Sequence, residues 1–409
     1  MTFKEELTQH FKQFDSSPIL FVGSGFSQRY IHLECWKNLL KRFADEIGEN
    51  HVKLKALSGE DLSEYGQLLA DSYSVKWWDT EGADAIQKEY EEHFTNPNSP
   101  LKVEISRYLK DSHKIISTEQ LSSELEAELA LIKTINIDGV ITTNWDLLLE
   151  ELFPKFTTFI GQDGILTGRS HGVAEIYKIH GCCSQPNSLI LTSGDYELYR
   201  KKNPYLSSKL LTMFIERPVI FLGYSFNDEH IAEILEDIVS CFPDKDLDFL
   251  RDKLLFVEWD TLCEEPEISN SIIHKKIPVK HVRTASYYDL FSVLSETKKR
   301  IPAHLFRIIK DELYELVLTD DPKGQLYVKD AADVNANSLP TEFVVGYGAI
   351  SLVKKAESLA DQGLVGLKRI DLIREVVFNT DKYIPSDIVT EVFPNLCKGN
   401  TRIPIFYFF

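Results

Sequence analysis

A short apolar run followed at once by glycines is the feature that most constrains the fold. Ile19-Leu20-Phe21-Val22 precedes Gly23-Ser24-Gly25. An all-apolar run of this length is typical of a strand buried on both faces of a parallel sheet. Apolar residues then recur at helical spacing from Trp36 to Ile47, and we expect Ser27 to be the N-cap of that helix. The segment predicts a strand, a glycine turn and a helix.

The strand rhythm recurs along the chain between helical patterns. We predict further strands at residues 137–142, 157–160, 176–179, 189–191, 219–222, 254–257 and 279–282. Strands that alternate with helices favour a parallel sheet, because the connection between parallel neighbours is usually a helix. The fold class predicted is therefore α/β, with a Rossmann-like, doubly wound, mainly parallel sheet.

Two stretches depart from this rhythm. Residues of about 50–133 are polar, acidic and helical in pattern, which predicts a helical insertion. The pattern becomes mainly helical again near residue 300, and 409 residues are too many for one ordinary core. We predict a first domain at 1–298 and a smaller, mainly helical assembly domain at 299–409. The apolar end at 404–409 is either a docked last element or an interface segment.

Composition limits the partners and the compartment. The net charge of -18 makes direct binding to nucleic acid unlikely, because that binding depends on clustered Lys and Arg. The six cysteines show no C-x-x-C spacing, and the first residues lack the apolar core of a signal peptide. No apolar run approaches the roughly 20 residues that span a bilayer. We expect a cytoplasmic protein with reduced thiols and no membrane partner.

Three polar segments directly follow predicted strands, at the edge where parallel sheets bind ligands. The glycine loop Gly23–Gly25 can approach a phosphate at a helix N-terminus, although it lacks the third glycine of G-x-G-x-x-G, so a bare tight turn stays open. Asn144 lies in the segment 142–146 and is either a site residue or a helix N-cap. His180 follows the strand at 176–179 and is either a site residue or a hydrogen-bonded structural histidine.

These residue types suit cleavage of a nicotinamide ribosyl bond. Because that reaction passes through an oxocarbenium-like state, the ribose must be held and a weak nucleophile oriented. The Asn144 amide can orient a ribose hydroxyl and water, and His180 can accept a proton near neutral pH. The Asp146 carboxylate can accept a hydrogen bond from the nicotinamide carboxamide. The leaving nicotinamide is neutral and needs no strong general acid.

Taken together, these motifs resemble the sirtuin superfamily, and more closely its bacterial sirtuin-like defence branch, over residues 17–295. Residues 22–27 correspond to the G-A-G-x-S loop, 142–146 to T-x-N-x-D, 179–181 to L-H-G and 222–228 to the G-x-S loop. The resemblance implies that the 1–298 domain is an NAD-binding catalytic domain. It also implies catalytic roles for Asn144, His180 and Asp146, and dinucleotide contacts from Gly23, Ser24, Gly25, Phe26, Ser27, Thr143, Trp145, Gly223 and Ser225. For Ser225, a buried strand-to-helix turn remains an alternative.

The chain also departs from the family. Deacylases of this family carry a four-cysteine zinc ribbon after the catalytic histidine, whereas only Cys182 and Cys183 follow His180 here. Adjacent cysteines cannot supply the usual tetrahedral pairs, so we expect no zinc and no cofactor other than NAD+ as substrate. Of the family's segment after the glycine loop, only an arginine, Arg29, is kept here, and it is a candidate phosphate ligand.

The resemblance implies an NAD+ nucleosidase, a hydrolase that cleaves NAD+ to nicotinamide and ADP-ribose in anti-phage defence by NAD+ depletion. It also implies a homo-oligomer, with a HerA-type hexameric ATPase as partner by analogy. Two alternatives stay open. The chain is then either a catalytically idle subunit that binds NAD or ADP-ribose and regulates a defence complex, or a zinc-free protein deacylase.

Overall fold

The computed structural model describes residues 2–59, 61–114, 122–225, 235–236, 248–273, 277–297, 302–318, 372–373, 376–377 and 385–396. The chain divides into two compact units, Met1–Ile308 and Ile309–Phe409. In the second unit, a small buried cluster is formed by Leu372, Ile388, Val392 and Phe393. The domain boundary predicted at 298/299 stays a prediction.

Eight strands of the first unit form one sheet in the order β3-β4-β2-β1-β5-β6-β8-β7. All neighbours are parallel except the edge strand β7, which runs antiparallel to β8. The predicted α/β, mainly parallel fold is therefore confirmed. The strands are β1 (Ile19–Val22), β2 (Gly139–Thr142), β3 (Thr157–Ile160), β4 (Glu175–Lys178), β5 (Val219–Leu222), β6 (Leu254–Trp259), β7 (Glu267–Ile273) and β8 (Ile277–Thr284).

Helices connect and cover these strands, and the helices from His51–Ser58 to Ser123–Ile132 lie in the stretch of about 50–133 that was predicted to be helical. Among the helices that the structure describes, none combines the length and the apolar character that crossing a bilayer requires. The α-helices of the first unit are α1 (Phe3–Lys12), α2 (Ser24–Ile31), α3 (Trp36–Glu46), α4 (His51–Ser58), α5 (Leu62–Lys76), α6 (Ala83–Glu89), α7 (Ser99–Lys114), α8 (Ser123–Ile132), α9 (Leu148–Leu152), α10 (Gly161–Thr167), α11 (Ser193–Lys202), α12 (Pro204–Glu216), α13 (Asp248–Lys253) and α14 (Tyr288–Glu296). Helix α15 (Ala303–Leu318) follows, and the second unit contains α16 (Pro385–Asp387), a π-helix (Ile388–Val392) and α17 (Phe393–Leu396).

Strand β1 is at the centre of the sheet, and its position explains why it is apolar throughout. Leu20 and Val22 pack into one buried cluster, while Ile19 and Phe21 pack into another on the opposite face. The chain runs from β1 to β2, β3 and β4 on one side and returns to β5 on the other. The loops after β1 and β5 therefore meet at the topological switch point, where open α/β sheets bind ligands.

Two local predictions are wrong. Residues 189–191 form no strand: a 3-10 turn at Pro186–Ser188 precedes them, and Ile190 donates a backbone hydrogen bond to the carbonyl of His180. Ser27 is not an N-cap, because α2 already begins at Ser24 with Gly23 as its N-cap. The helix that starts at Trp36 is a separate element, α3.

Strand β7 was not predicted. Four of its seven residues are polar, and Ile272 is exposed at the sheet edge, so the strand lacks a continuous apolar run. The apolar end predicted at 404–409 lies outside the described residues.

Candidate functional site

Two glycine loops contact each other at the switch point. The backbone N–H of Gly25 donates to the carbonyl of Gly223 at 2.9 Å. A Cβ on Gly25 would lie 2.8 Å from that oxygen, and a Cβ on Gly223 would lie 2.3 Å from the nitrogen of Phe26. Gly223 also has a φ of 75°, a conformation that only glycine adopts readily. The contact between the loops therefore requires glycine at both positions.

Tyr224 covers the first glycine loop. Its ring lies against Gly23, where a Cβ would come within 2.6 Å of the ring carbons. Its hydroxyl donates to the carbonyl of Val22 at 3.0 Å and is 2.9 Å from the hydroxyl of Thr143. One side chain thus joins the ends of β1, β2 and β5. Ser225, the next residue, is exposed.

Asn144 is held across the switch point by its amide nitrogen. The side chain is only 7% exposed, and its Nδ2 donates to the carbonyl of Gly23 at 2.9 Å and to the hydroxyl of Ser27 at 3.0 Å. The Asn144 backbone N–H donates to the hydroxyl of Thr142, which itself donates to Val22. Because both amide protons are engaged, Oδ1 is the end of the amide that can accept a hydrogen bond from a ligand.

Asp146 completes this network. The Ser27 hydroxyl donates to Oδ2 of Asp146 at 2.7 Å, and the backbone N–H of Leu148 donates to Oδ1 at 3.0 Å. Helix α9 begins at Leu148, so Asp146 rather than Asn144 satisfies its first turn. The N-cap alternative for Asn144 is therefore wrong, and Asn144 reaches instead to the glycine loop.

His180 lies at the end of β4, where aromatic side chains surround its ring. The residue is 7% exposed, and the rings of Tyr196 and Tyr199 on α11 meet the imidazole edge to face at centroid distances of 5.6 and 5.3 Å. The Trp145 indole donates to the carbonyl of His180 at 2.9 Å. Since Trp145 is next to Asn144, this bond ties the ends of β2 and β4 together.

Gly181 fixes the backbone after His180. Its φ is 93°, and a Cβ there would lie 2.2 Å from the carbonyl oxygen of Ser188. The following turn is closed by a hydrogen bond from the Cys182 backbone N–H to the Ser188 hydroxyl oxygen at 3.0 Å. Glycine at position 181 therefore allows the chain to turn sharply directly after His180.

The buried ammonium group of Lys178 binds the backbone of the loop that follows β2. Lys178 is fully buried, and its Nζ donates to the carbonyls of Trp145 and Asp146 and to the Glu150 carboxylate, the last at 2.9 Å. Burial is the largest single influence and lowers the pKa of Lys178, but Glu150, Cys182 and Asp146 together outweigh it, so the pKa is raised. Lys178 therefore remains charged and holds the backbone that carries Asn144 and Asp146.

The two cysteines after His180 lie next to this ammonium group. Cys182 and Cys183 are both buried free thiols. A hydrogen bond from Cys183, together with the Lys178 ammonium and the Ser184 hydroxyl, lowers the pKa of Cys182. Within the part of the chain that the structure describes, no group of three or more His, Cys, Asp or Glu is placed as metal ligands would be. The expectation that zinc is not required stays a prediction.

Arg29 is not a phosphate ligand. Its guanidinium forms two hydrogen bonds to the Glu128 carboxylate, at 2.8 and 3.0 Å, and is 9% exposed. Tyr30 and Ser286 donate to the same carboxylate, and the Trp259 ring lies 4.7 Å from the guanidinium carbon. The arginine therefore links α2 to α8 and to the end of the sheet, which makes it structural.

The remaining sequence-predicted residues lie around the same loops. Ser24 begins α2, and Phe26 is buried with its ring 4.7 Å from that of Tyr30. Sequence reasoning missed Tyr224 and Lys178 as parts of the site. Lys178 could have been recognised in the sequence, because it is a charged residue at the end of an otherwise strand-like run. Nothing in the sequence indicated that the Tyr224 ring folds back over Gly23.

The fold and these loops define an α/β protein with a candidate ligand-binding site at the switch point of a mainly parallel sheet. Residues 138–276 match the family model described as SIR2-like domain. The matched range contains the β2, β4 and β5 loops, while the glycine loop after β1 precedes it and is joined to it by the hydrogen bonds of Asn144. Residues 138–276 therefore form a SIR2-like domain.

Several relatives share the name NAD(+) hydrolase ThsA. The chain is 24% identical over 247 residues to that of Cytobacillus dafuensis, which covers 58% of this chain and 41% of the relative. It is 24% identical over 211 residues to that of Enterococcus faecium, covering 49% and 43%, and 28% identical over 218 residues to that of Acinetobacter baumannii, covering 49% and 42%. The matches span about two fifths of the relatives' length.

Proposed function

We propose that this chain is an NAD+ glycohydrolase that cleaves NAD+ to nicotinamide and ADP-ribose. The observation that carries the proposal is the hydrogen-bonded series Gly23, Asn144, Ser27 and Asp146, because it joins the glycine loop to the carboxyl end of β2 at the switch point. The SIR2-like domain and the relatives named NAD(+) hydrolase support the same activity.

The proposed roles follow from the chemistry of each side chain and its place at the strand ends. Oδ1 of Asn144 accepts a hydrogen bond from a ribose hydroxyl or from the attacking water and orients it. The His180 imidazole accepts the proton that this hydroxyl or water loses. Asp146 already accepts two hydrogen bonds, and a carboxylate with about four acceptor sites can still accept one from the nicotinamide carboxamide. Gly23, Gly25 and Gly223 let the backbone approach the pyrophosphate.

The test is an NAD+ cleavage assay on the full chain, with products identified by mass spectrometry. Asn144→Ala and His180→Ala should each lower kcat roughly 10²- to 10⁴-fold, the range for loss of a positioned acid–base group. Asn38→Ala, at an exposed position, and His93→Ala change the same residue types outside the hydrogen-bonded series of the switch point and serve as matched controls. If Asn144→Ala released nicotinamide at the wild-type rate, this site would not be the site of hydrolysis.

The alternative of a catalytically idle NAD-binding subunit is favoured by one observation. The N–H groups of Gly23 and Gly25, the amide nitrogen of Asn144 and the hydroxyl of Ser27 already have partners within the protein. Calorimetry with NAD+ separates the two functions: binding without any nicotinamide release, alone or with a partner protein, would establish the idle subunit and contradict the glycohydrolase.

We further propose a cytoplasmic, homo-oligomeric enzyme that depletes NAD+ in antiviral defence together with a HerA-type ATPase. Uncontrolled NAD+ loss would harm the host cell, so an activity of this kind requires regulation by assembly. Size-exclusion chromatography with multi-angle scattering, on the chain alone and mixed with a HerA-type ATPase, tests the assembly. A monomer in both samples would contradict it.

A further inference from the structure

The imidazole of His180 contacts two aromatic rings that belong to one helix. Its ring centroid lies 5.6 Å from that of Tyr196 and 5.3 Å from that of Tyr199, at interplanar angles of 85° and 82°. The two tyrosines are three positions apart on α11, so their side chains share one face of that helix. Contacts at such angles are the edge-to-face arrangement that aromatic rings prefer. The two rings therefore limit how far the imidazole can rotate.

The N-terminus of α11 is fixed by its own cap and by a lysine of α7. The Thr192 hydroxyl accepts a hydrogen bond from the backbone N–H of Asp195, and the Asp195 carboxylate accepts one from the backbone N–H of Thr192. Nζ of Lys102 donates to the same carboxylate at 2.7 Å, and this lysine side chain is only 4% exposed. Because Tyr196 directly follows Asp195, these bonds set the position from which its ring reaches His180.

The segment before α11 holds the backbone of the same histidine. The N–H of Ile190 donates to the carbonyl of His180 at 3.0 Å. A Cβ on Gly66 of α5 would lie 2.5 Å from the carbonyl oxygen of Leu191, so α5 packs closely against this segment. Residues 190–199 therefore restrain both the backbone and the ring of His180.

Tyr196 is also held by a second aromatic ring. The residue is buried, and its ring centroid lies 6.0 Å from that of Trp36 on α3. The Trp36 ring in turn meets the Trp145 ring edge to face at 6.4 Å, and the Trp145 indole donates to the carbonyl of His180. These contacts form a closed series that begins and ends at His180, so the Tyr196 ring cannot move away from the imidazole without displacing its neighbours.

We propose that Tyr196 and Tyr199 are positioning residues, whose rings hold the His180 imidazole in the orientation in which it accepts a proton. This inference rests on the NAD+ glycohydrolase function proposed above and adds two residues to its machinery. The tyrosines act through His180, so their loss should fall on kcat, with KM for NAD+ nearly unchanged. A purely structural role would instead lower the stability of the fold and leave kcat of the folded chain intact.

Steady-state kinetics of nicotinamide release by the full chain test the proposal. Tyr196→Leu combined with Tyr199→Leu removes both rings and should lower kcat by up to about 100-fold, the loss expected when a catalytic group is displaced by about 1 Å. Tyr196→Phe combined with Tyr199→Phe keeps both rings and should recover most of the lost rate. Tyr205→Leu, at an exposed tyrosine on α12, is the matched control. Thermal unfolding midpoints verify that each variant is folded; if the double leucine variant is not, Tyr199→Leu alone, at the less buried tyrosine, replaces it.

NMR relaxation of ¹³C-labelled histidine in the full chain measures how firmly the His180 ring is held, without any turnover. The His180 signal is identified by its absence in His180→Ala. Its ring order parameter should fall in the double leucine variant, because the imidazole can then rotate, and should stay near the wild-type value in the double phenylalanine variant.

Two results would overturn the proposal: a folded leucine variant that keeps the wild-type kcat, or one whose His180 ring is as rigid as in the wild type. Failure of the proposed function has a different signature. A wild-type chain that releases no nicotinamide would contradict NAD+ hydrolysis before any tyrosine is changed, and the positioning role would fall with it.

Discussion

Ser27 and Asp146 are 119 positions apart in sequence and are joined by a hydrogen bond of 2.7 Å from the serine hydroxyl to the aspartate carboxylate. The same hydroxyl accepts a hydrogen bond from Asn144 at 3.0 Å. Ser27 therefore connects the two polar side chains at the end of β2 and sets the orientation of both. Its hydroxyl faces other protein groups, so it acts as a positioning residue.

Ser27→Ala should lower the rate of nicotinamide release roughly 10- to 100-fold, because a hydrogen bond to a charged group contributes about 1.5 to 3 kcal/mol. The loss should fall on kcat, with KM for NAD+ nearly unchanged, since positioning rather than substrate contact is removed. Steady-state kinetics measure both. Ser27→Thr, which keeps the hydroxyl, should recover part of the rate. Ser208→Ala, an exposed serine on α12, is the matched control.

Lys178→Met should lower the free energy of unfolding by about 3 to 5 kcal/mol, because it leaves the partly buried Glu150 carboxylate without its cation. Combining it with Glu150→Leu should restore part of that stability, since no unpaired charge is then buried. Urea unfolding of the full chain measures both effects. Lys201→Met removes an exposed ion pair with Glu197 and should cost less than about 1 kcal/mol. Equal losses for the two lysines would contradict the buried role of Lys178.

The sequence predicted most of the sheet because its central strands are buried on both faces. Residues 19–22 and 219–222 coincide with observed strands, since each is apolar enough to be recognised without its neighbours. Residues 157–160 also coincide with a strand, although β3 lies at the sheet edge and is only partly buried. The edge strand β7 has polar, exposed residues and lacks that signal. Leu189 and Leu191 are apolar and buried, yet residues 189–191 form a segment without strand pairing before α11. Burial alone does not distinguish such a segment from a strand.

The candidate site was predictable only in part. Glycines and polar residues at strand ends identified the loops, because parallel strands present their carboxyl ends at one edge. The hydrogen-bond partners of each side chain depend on contacts between segments that are distant in sequence. Arg29 pairs with Glu128, 99 positions away, and Tyr224 bonds with Thr143, 81 positions away. No local pattern specifies these pairs.

Gly181→Ala should destabilise the chain far more than Gly48→Ala. Both glycines have positive φ, at 93° and 67°, so both variants incur the backbone strain of about 1 to 2 kcal/mol. Gly48 has no heavy atom within 4 Å of a built Cβ, whereas a Cβ on Gly181 lies 2.2 Å from the Ser188 carbonyl oxygen. The difference between the two unfolding free energies isolates the steric contact. Similar values would mean that the turn after His180 relaxes freely.

The chain should lose stability in mild acid through His10 on α1. Burial, with a smaller contribution from Lys280, lowers the pKa of His10 to about 4 from its ordinary value of 6.5. The unfolded chain therefore binds a proton that the folded chain rejects, so the stability contributed by neutral His10 is present above about pH 6.5 and is lost as the pH falls towards 4.

Between pH 7 and pH 5 this loss is roughly 1 to 2 kcal/mol in the free energy of unfolding, which urea titrations at the two pH values measure. His10→Gln removes the titrating group and should reduce the difference between pH 7 and pH 5 by that amount. Gln13→Ala removes the hydrogen-bond partner of His10 at 3.0 Å but keeps the imidazole, so its pH dependence should match the wild type. An unchanged pH dependence in His10→Gln would show that another group controls acid stability.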